Sequence, residues 1–328
     1  MANTATPMTS SDGALRLRVH AIADEALDVR SIELRAADGL PLPPFKAGAH
    51  IDVRTAGGIV RSYSLLNGQD ERDRYVIGVY REPRSRGGSR WLHEQLAVGD
   101  VLEGTPPRND FALCEGAGHS VLIAGGIGIT PVLSMARRLQ AIGRSWEVAY
   151  AVRSRSRAAF LAPLRELAAA GAGRLQLHID DEEDGRLLDL SGLVAGAPPG
   201  THFYACGPGP MLEAYRRATA ALPPEQVHLE YFAADVTPAA GGFVVVLAKS
   251  GRKVVVPPGS SILDAVEAAG VYVPRVCEQG VCGTCETRVL GGVPDHRDLF
   301  LTTAEQAAGK TMLICCSGSL TEELVLDL

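Results

Sequence analysis

Three cysteines crowded into nine residues constrain this chain more than any other feature. With a fourth cysteine after 29 intervening residues, they form a C-x4-C-x2-C…C pattern: Cys277, Cys282, Cys285 and Cys315. Four thiolates at this spacing are typical of the ligands of a plant-type 2Fe–2S cluster, because iron needs soft sulfur ligands and one tight loop can supply three of them. Gly280 and Gly283 suit that loop, since a residue without a Cβ adopts a positive φ and lets backbone N–H groups approach the sulfurs.

Other uses of these cysteines stay open at this point. A zinc site also takes four cysteines, although its ligands usually come as two C-x2-C pairs and the chain has one such pair. A set of disulfides is disfavoured by the odd total of seven cysteines. Cys316 competes with Cys315 as fourth ligand, and the plant-type interval favours Cys315.

The composition indicates a soluble globular protein. A length of 328 residues predicts two or three domains, and 46% hydrophobic with 21% charged residues fits folded domains. The net charge of −6 gives no sign of a nucleic-acid partner, and we expect no membrane span because no apolar run is long enough. Residues 1–13 lack a secretory-signal pattern and are expected to be a disordered tail. Seven cysteines without a disulfide pattern favour a cytoplasmic protein.

Residues 14–115 read as short alternating strands separated by turn residues, which predicts an antiparallel β-barrel. One strand carries a cation, two hydroxyls and an aromatic ring, a set suited to an aromatic cofactor with a phosphate: Arg61, Ser62, Tyr63 and Ser64. The next strand ends in a second candidate group: Val79, Tyr80 and Arg81.

A glycine pair follows the barrel strands. Gly87 and Gly88 precede a predicted helix over 89–96 that Ser89 is expected to cap. The N–H groups that begin such a helix can bind an anion. Taken alone, the motif is more typical of a loop, a cap and an exposed arginine.

Residues 116–233 alternate strands and helices, which predicts a doubly wound α/β domain with a parallel sheet. Its first strand ends in a glycine-rich turn where a helix begins, and this position suits a dinucleotide pyrophosphate. The candidate residues of that turn are Gly126, Gly128 and Thr130.

A second glycine-rich turn comes late in the same domain, at Cys206, Gly207 and Pro208. Two such turns above one sheet edge can bracket a dinucleotide. Arg153 lies just past the second strand, near the expected adenosine ribose. Arg155 and Arg157 lie nearby and decide little between NADH and NADPH, because surface arginines are usually solvated. The acidic run 180–184 is expected to be a solvated turn.

Residues 234–242 are small and polar enough to be a linker, and 243–328 form the last domain. A predicted hairpin is followed by a helix over 261–269, capped by Ser260 or Ser261, and then by the cysteine loop. This order resembles the α+β β-grasp ferredoxins. The charged turn 295–298 reads as a surface loop, or alternatively as an interdomain contact.

The motifs RSYSL, GGS, GGIGITP, CGPGPM, EYF, the cysteine set and ELVLDL occur in one order along the chain. Together they resemble the phthalate dioxygenase reductase family over almost the whole chain, from about residue 14 to 328. The resemblance implies that the R-x-Y-S strand and the GGS turn hold FMN, and that an aromatic residue at Phe232 covers the flavin ring. Ser64 and Cys206 are the candidate catalytic residues. Taken alone, Cys206 reads as a small buried hydrophobic residue, whereas the resemblance implies that it lines the place where nicotinamide meets flavin.

The same resemblance implies an NADH-dependent oxidoreductase that passes electrons from NADH to FMN, to the 2Fe–2S cluster, and then to a separate Rieske-type dioxygenase or O-demethylase. FMN is favoured over FAD because no segment for an adenosine half is evident. The alternatives are a reductase for another class of monooxygenase, a free flavin reductase with a non-essential cluster, and a flavin-free module that only docks a partner.

Overall fold

The structure is a computed structural model that describes residues 14–83, 85, 87–171, 173–232 and 242–328. The predicted tail 1–13 lies outside these ranges, as does all of the predicted linker except Gly242. Among the described residues, no helix is both long enough and apolar enough to cross a membrane.

The first sheet has six strands in the order β4-β3-β6-β1-β2-β5. Its strands are β1 Leu15–Ala26, β2 Val29–Ala36, β3 His50–Arg54, β4 Val60–Ser64, β5 Tyr75–Tyr80 and β6 Val101–Gly104, with helix α1 at Gly88–Glu94. A bridge between Leu65, the residue after β4, and Ile77 within β5 joins the two edge strands, so the sheet curls into a barrel. Its interior is filled by fully buried side chains such as Leu17, Ile32 and Ile51, each worth roughly 1.5–3 kcal/mol of apolar burial.

The second sheet has five strands in the order β11-β10-β7-β8-β9. Its strands are β7 His119–Gly125, β8 Ser145–Val152, β9 Gly173–Ile179, β10 His202–Cys206 and β11 Val227–Glu230. Its α-helices are α2 Ile129–Ala141, α3 Leu161–Ala169, α4 Leu190–Gly196 and α5 Gly209–Ala218. Short 3-10 turns occupy Gly126–Gly128, Arg155–Arg157, Asp180–Glu182 and Pro224–Gln226. The strands β7, β8 and β9 pair in parallel, as the alternation of strands and helices predicts.

The third sheet has five strands in the order β13-β12-β18-β14-β16, and a two-stranded ribbon accompanies it. The sheet strands are β12 Phe243–Leu247, β13 Arg252–Val256, β14 Glu286–Gly291, β16 Thr311–Leu313 and β18 Glu323–Leu326. The ribbon pairs β15 Pro294–Asp295 with β17 Gly318–Ser319, and the helices are α6 Ile262–Ala268 and α7 Thr303–Ala308. The predicted hairpin is β12 and β13, and Ser261 caps α6 by accepting a hydrogen bond from the backbone N–H of Asp264 at 3.0 Å.

The chain divides into two compact units, each described by itself below. The first runs to Ala205 and takes in Leu222–His228, and the second holds Cys206–Ala221 and Leu229–Leu328. The predicted fold class, a flavin-type barrel, a nucleotide-binding α/β domain and a C-terminal β-grasp domain, is confirmed. The exact domain limits stay predictions.

Candidate functional site

Strand β4 presents its predicted residues in alternation because successive side chains of a strand point to opposite faces. The hydroxyl of Ser62 donates to Asp52 Oδ1 at 2.6 Å, and Arg108 pairs with the other oxygen of that carboxylate at 2.7 Å. Ser64 is buried, and its Oγ has no hydrogen-bond partner among the described residues. A buried hydroxyl without a partner is costly, so Ser64 suits a polar group supplied by a bound molecule.

Tyr63, on the same strand, packs in the barrel and is also a candidate for stacking on a cofactor. It packs against the barrel core, and burial raises the pKa of its phenol, so the ring stays neutral. A neutral phenol ring is a suitable surface for stacking an aromatic cofactor.

The structure brings Arg61 together with the glycine pair. A Cβ added to Gly88 would lie 3.1 Å from Arg61 Cγ, so the arginine stem lies directly against the backbone of that glycine. Gly87 has a φ of 113°, a conformation that favours glycine. The Arg61 strand and the glycine turn therefore form one local surface.

The prediction that Ser89 caps helix α1 is wrong. Gly87 occupies the N-cap position without a side-chain cap, and Ser89 lies inside the first turn. The Ser89 hydroxyl instead accepts a hydrogen bond from the backbone N–H of Glu82 at 3.2 Å, which ties the turn to the segment after β5. The cap position therefore lies two residues before Ser89, and the helix begins at Gly88.

Two residues at the end of strand β5 already form hydrogen bonds within the protein. The carbonyl of Val79 lies 2.9 Å from Nε2 of His93, and the guanidinium of Arg81 donates to Asp28 at 2.8 Å. Tyr80 is half-buried and pairs in register with Val29. Of these three residues, Val79 is buried, Tyr80 is half-buried, and Arg81 is exposed but paired with Asp28.

The glycine-rich turn after β7 is built for a close backbone approach. Gly126 has a φ of 54°, and a Cβ added there would meet no atom of the described residues within 4 Å. Gly128 ends the 3-10 turn, and Thr130 donates its hydroxyl to the carbonyl of Ile127 at 3.1 Å. The turn therefore leaves open space above Gly126, while the Thr130 side chain braces the helix start.

The barrel and this turn meet inside the first unit. A Cβ added to Gly78 would lie 2.6 Å from Thr130 Cγ2, so only a glycine fits where β5 crosses the start of α2. Ser134 on α2 also donates to the carbonyl of Asn67 at 3.2 Å. The strand that ends in Val79 and Tyr80 thus lies next to the nucleotide turn.

Two of the three arginines beyond β8 are paired with carboxylates. Arg155 donates from Nε and Nη2 to both carboxylate oxygens of Glu182, at 3.0 and 2.7 Å. Arg157 lies 3.7 Å from Asp28. Arg153 is exposed, and its backbone carbonyl accepts from the N–H of Asp181 at 3.0 Å. The acidic run is a mostly exposed turn, as expected, but Glu182 also neutralises an arginine.

The second unit carries the other predicted nucleotide turn. Cys206 is fully buried at the end of β10, and burial raises the pKa of its thiol well above the usual value, with the nearby Glu230 adding to the effect. Its Sγ lies 4.0 Å from Glu230 Oε2. Gly207 and Pro208 follow it and lead into α5, and Phe232 is half-buried. Cys206 is therefore a neutral thiol rather than a nucleophile.

The cysteine loop lies between α6 and β14 and has no regular secondary structure. Gly280 and Gly283 have φ values of 71° and 72°, as the motif predicts. Among the described residues, no three His, Cys, Asp or Glu side chains are already gathered as ligands of a metal ion. The four cysteines meet instead as two hydrogen-bonded pairs, Cys277 with Cys282 and Cys285 with Cys315.

The two pairs fit a binuclear cluster, in which each iron takes two protein ligands. Within each pair the hydrogen bond lowers the pKa of the accepting thiol, Cys282 to about 6 and Cys315 to about 3. The same hydrogen bonds and burial raise the pKa of the donors Cys277 and Cys285. Backbone N–H groups also favour the thiolate form, since Gln279 donates to Cys277 Sγ at 3.4 Å and Gly280 donates to Cys315. Thiolates with N–H donors are the form of cysteine that binds iron.

Three residues near these sites were missed from the sequence: Glu182, Glu230 and Asp298. Each is a carboxylate whose partner is distant in sequence or buried by tertiary packing. The charged turn 295–298 is a surface loop only in part, because 295–297 are partly exposed whereas Asp298 is only 4% exposed. For Asp298, the signal available in the sequence was an acidic residue between the third and fourth cysteines.

Comparison with known proteins agrees with this geometry. Residues 245–318 match the family model of the 2Fe-2S iron-sulfur cluster binding domain, and 122–217 match the oxidoreductase NAD-binding domain. The first match decides for an iron–sulfur domain over zinc and disulfides.

Relatives match the chain over nearly its full length. It is 58% identical to the phenoxybenzoate dioxygenase subunit beta of Ectopseudomonas oleovorans, over 95% of this chain and 97% of that protein. It is 46% identical to the vanillate O-demethylase oxidoreductase of Pseudomonas putida, over 93% of this chain and 97% of that protein. The solved structure of phthalate dioxygenase reductase, described as a modular structure for electron transfer from pyridine nucleotides to [2Fe-2S], has a TM-score of 0.78 at 39% identity and covers 97% of this chain and 98% of its own. The chain belongs to the phthalate dioxygenase reductase family of oxidoreductases.

Proposed function

We propose that this chain is the reductase component of an oxygenase system, taking electrons from NADH through FMN and a 2Fe–2S cluster to a separate Rieske-type dioxygenase or O-demethylase. The observation that carries the proposal is the presence of an NAD-binding domain and a 2Fe–2S domain in one chain. When bound, a flavin accepts two electrons as hydride and releases them singly, which is what a nicotinamide donor and a one-electron acceptor require between them.

The barrel supplies the residues that would hold FMN. Arg61, lying against Gly88, would bind the phosphate, because a guanidinium donates several hydrogen bonds to phosphate oxygens. Tyr63 and Tyr80 would contact the ring, and the hydroxyl of Ser64, which has no partner among the residues that the structure describes, would hydrogen-bond its polar edge. Ser62 and Arg81 are engaged by Asp52 and Asp28, so they would shape the site by holding its strands.

The glycine turn would hold the dinucleotide. The open space above Gly126 admits the pyrophosphate to the backbone, with Gly128 and Thr130 fixing the start of α2. Gly207 and Pro208 would form the second turn. Cys206, a neutral thiol, and Phe232 would line the nicotinamide and flavin without forming a covalent bond.

The arginines beyond β8 support NADH over NADPH. Glu182 and Asp28 already neutralise Arg155 and Arg157, so those side chains are less available to a 2′-phosphate. Arg153 would contact the adenosine side.

The partner proposal rests on the relatives, whose names describe parts of dioxygenase and demethylase systems. The domain that would deliver electrons is 2Fe–2S ferredoxin-like. A separate oxygenase is therefore the expected acceptor.

An absorption spectrum and mass spectrometry of the released cofactor test the cofactor set. We expect flavin and cluster bands together, with FMN as the main flavin. Flavin bands alone would support a free flavin reductase, and recovery of FAD would contradict the assignment of the barrel site. NADH-driven turnover should then appear with a Rieske-type oxygenase. Turnover only with another class of monooxygenase would contradict the partner.

A further inference from the structure

Asp298 is the most deeply buried carboxylate beside the cysteine loop. Its side chain is 0% exposed, although the surrounding sequence Asp295–Asp298 is rich in charge. One carboxylate oxygen accepts from the backbone N–H of Leu301 at 2.8 Å, and the other lies 3.4 Å from the hydroxyl of Ser317. The ring of His296, itself nearly buried, places Nδ1 3.4 Å from the same carboxylate.

The position of Asp298 links both cysteine-bearing segments. A Cβ added to Gly280 would lie 3.1 Å from Asp298 Cα, and the backbone N–H of Leu299 donates to the Gly280 carbonyl at 3.0 Å. Gly280 in turn donates its N–H to the sulfur of Cys315. Through Ser317, two residues after Cys315, the carboxylate also holds the segment of the fourth cysteine.

We propose that the buried negative charge of Asp298 lowers the reduction potential of the cluster that the four cysteines hold. A negative charge in a poorly solvated interior opposes the addition of an electron nearby much more than the same charge in water does. Net charge and hydrogen bonding around an iron–sulfur cluster are among the factors that set its potential. The inference rests on the proposed function only in requiring that the cluster be bound.

The test compares two charge-removing substitutions in the same turn, in the full-length protein with its cofactors. Asp298→Asn keeps the shape and the hydrogen bond from Leu301 but removes the charge. Asp295→Asn removes the same charge from a carboxylate that is 27% exposed and paired with Arg297 at 2.8 Å. The cluster midpoint is measured by EPR-monitored titration with dithionite and mediators, so neither NADH nor an oxygenase is needed.

Asp298→Asn should favour the reduced cluster by about tenfold, a rise of about 59 mV for one electron. Asp295→Asn should change the equilibrium less than about twofold, because solvent and Arg297 screen that charge. An unchanged midpoint in Asp298→Asn, or equal shifts in both variants, would overturn the proposal.

If Asp298→Asn fails to bind a cluster, Ser317→Ala decides. This variant keeps the carboxylate and removes one hydrogen bond to it, so we expect a lower midpoint, and an unchanged or higher midpoint would overturn the proposal. A wild-type cluster that dithionite reduces and NADH does not would contradict the proposed function, while the midpoint comparison would still test Asp298.

Discussion

The nucleotide turn and the cluster loop each depend on a glycine with positive φ, but their surroundings are opposite. Within the part of the chain that the structure describes, a Cβ added to Gly126 would meet nothing within 4 Å, whereas one added to Gly280 would lie 2.6 Å from the sulfur of Cys316. The first glycine leaves room for a molecule that enters and leaves. The second allows the protein to pack tightly around the cysteine loop, where the cluster would stay bound.

The largest expected effect is loss of the cluster when a ligand cysteine is replaced. It tests whether Cys316, which lies beside Gly280, is a ligand. Cys315→Ser should abolish the cluster absorption and EPR signals, because it removes a ligand thiolate. Cys316→Ser should keep both, since the Cys316 thiol serves as a hydrogen-bond donor to Cys315 and to the Leu313 carbonyl at 3.6 Å, and a serine hydroxyl can donate in the same way. Loss of the cluster in Cys316→Ser together with its retention in Cys315→Ser would contradict the assignment of Cys315 as ligand, because the side chain beside Gly280 would then be the ligand.

Alanine substitutions at the two glycines should have different effects, mainly on stability at Gly280 and mainly on nucleotide binding at Gly126. Gly280→Ala combines φ strain with overpacking and should cost about 2–4 kcal/mol, seen as a lower melting temperature and reduced cluster content. Gly126→Ala should cost only about 1 kcal/mol of stability but raise the Kd for NADH on the order of tenfold, because its methyl group enters the ligand space. The reverse pattern, with nucleotide binding intact in Gly126→Ala, would contradict the open-site interpretation.

A smaller effect is expected at the rim of the nucleotide site. Glu182→Gln frees the guanidinium of Arg155 and should raise the ratio of kcat/KM for NADPH over NADH about threefold, measured with ferricyanide as acceptor. Adding Arg155→Ala should cancel the gain, and Glu183→Gln serves as the matched control. A gain that survives Arg155→Ala would show that Arg155 is not the phosphate contact.

The smallest effect lies away from both glycines, at the cap of α6. Ser261→Ala should lower the stability of the ferredoxin domain by about 1 kcal/mol, since its hydroxyl accepts from the N–H of Asp264. Ser260→Ala removes a neighbouring hydroxyl that makes no cap and should leave the melting temperature nearly unchanged. Equal losses in both variants would contradict the cap assignment.

Local features were predictable because short-range rules govern them. The order of strands and helices, the cap at Ser261 and the positive φ of Gly280 and Gly283 all follow from neighbouring residues. Ser89 failed as a cap for the same kind of reason, since Gly87 offered a conformation that starts the helix earlier.

The missed features depend on contacts between distant segments. Arg155 and Glu182 meet because β8 and β9 run in parallel with Val152 opposite Ile179, a register that the sequence does not state. Asp298 reads as a surface charge in a polar turn, and only the packing of that turn on Gly280 buries it. Roles for Arg61, Ser64 and Cys206 stay predictions until the cofactors are bound.

The central claim is that electrons pass from NADH through the flavin to the cluster within this one chain. Anaerobic mixing of full-length protein with NADH, followed by absorbance and freeze-quench EPR, tests it directly. We predict that the flavin band bleaches first and that the signal of the reduced cluster then appears without any added partner. Bleached flavin beside a cluster that stays oxidised, while cytochrome c is still reduced at the full rate, would contradict the account.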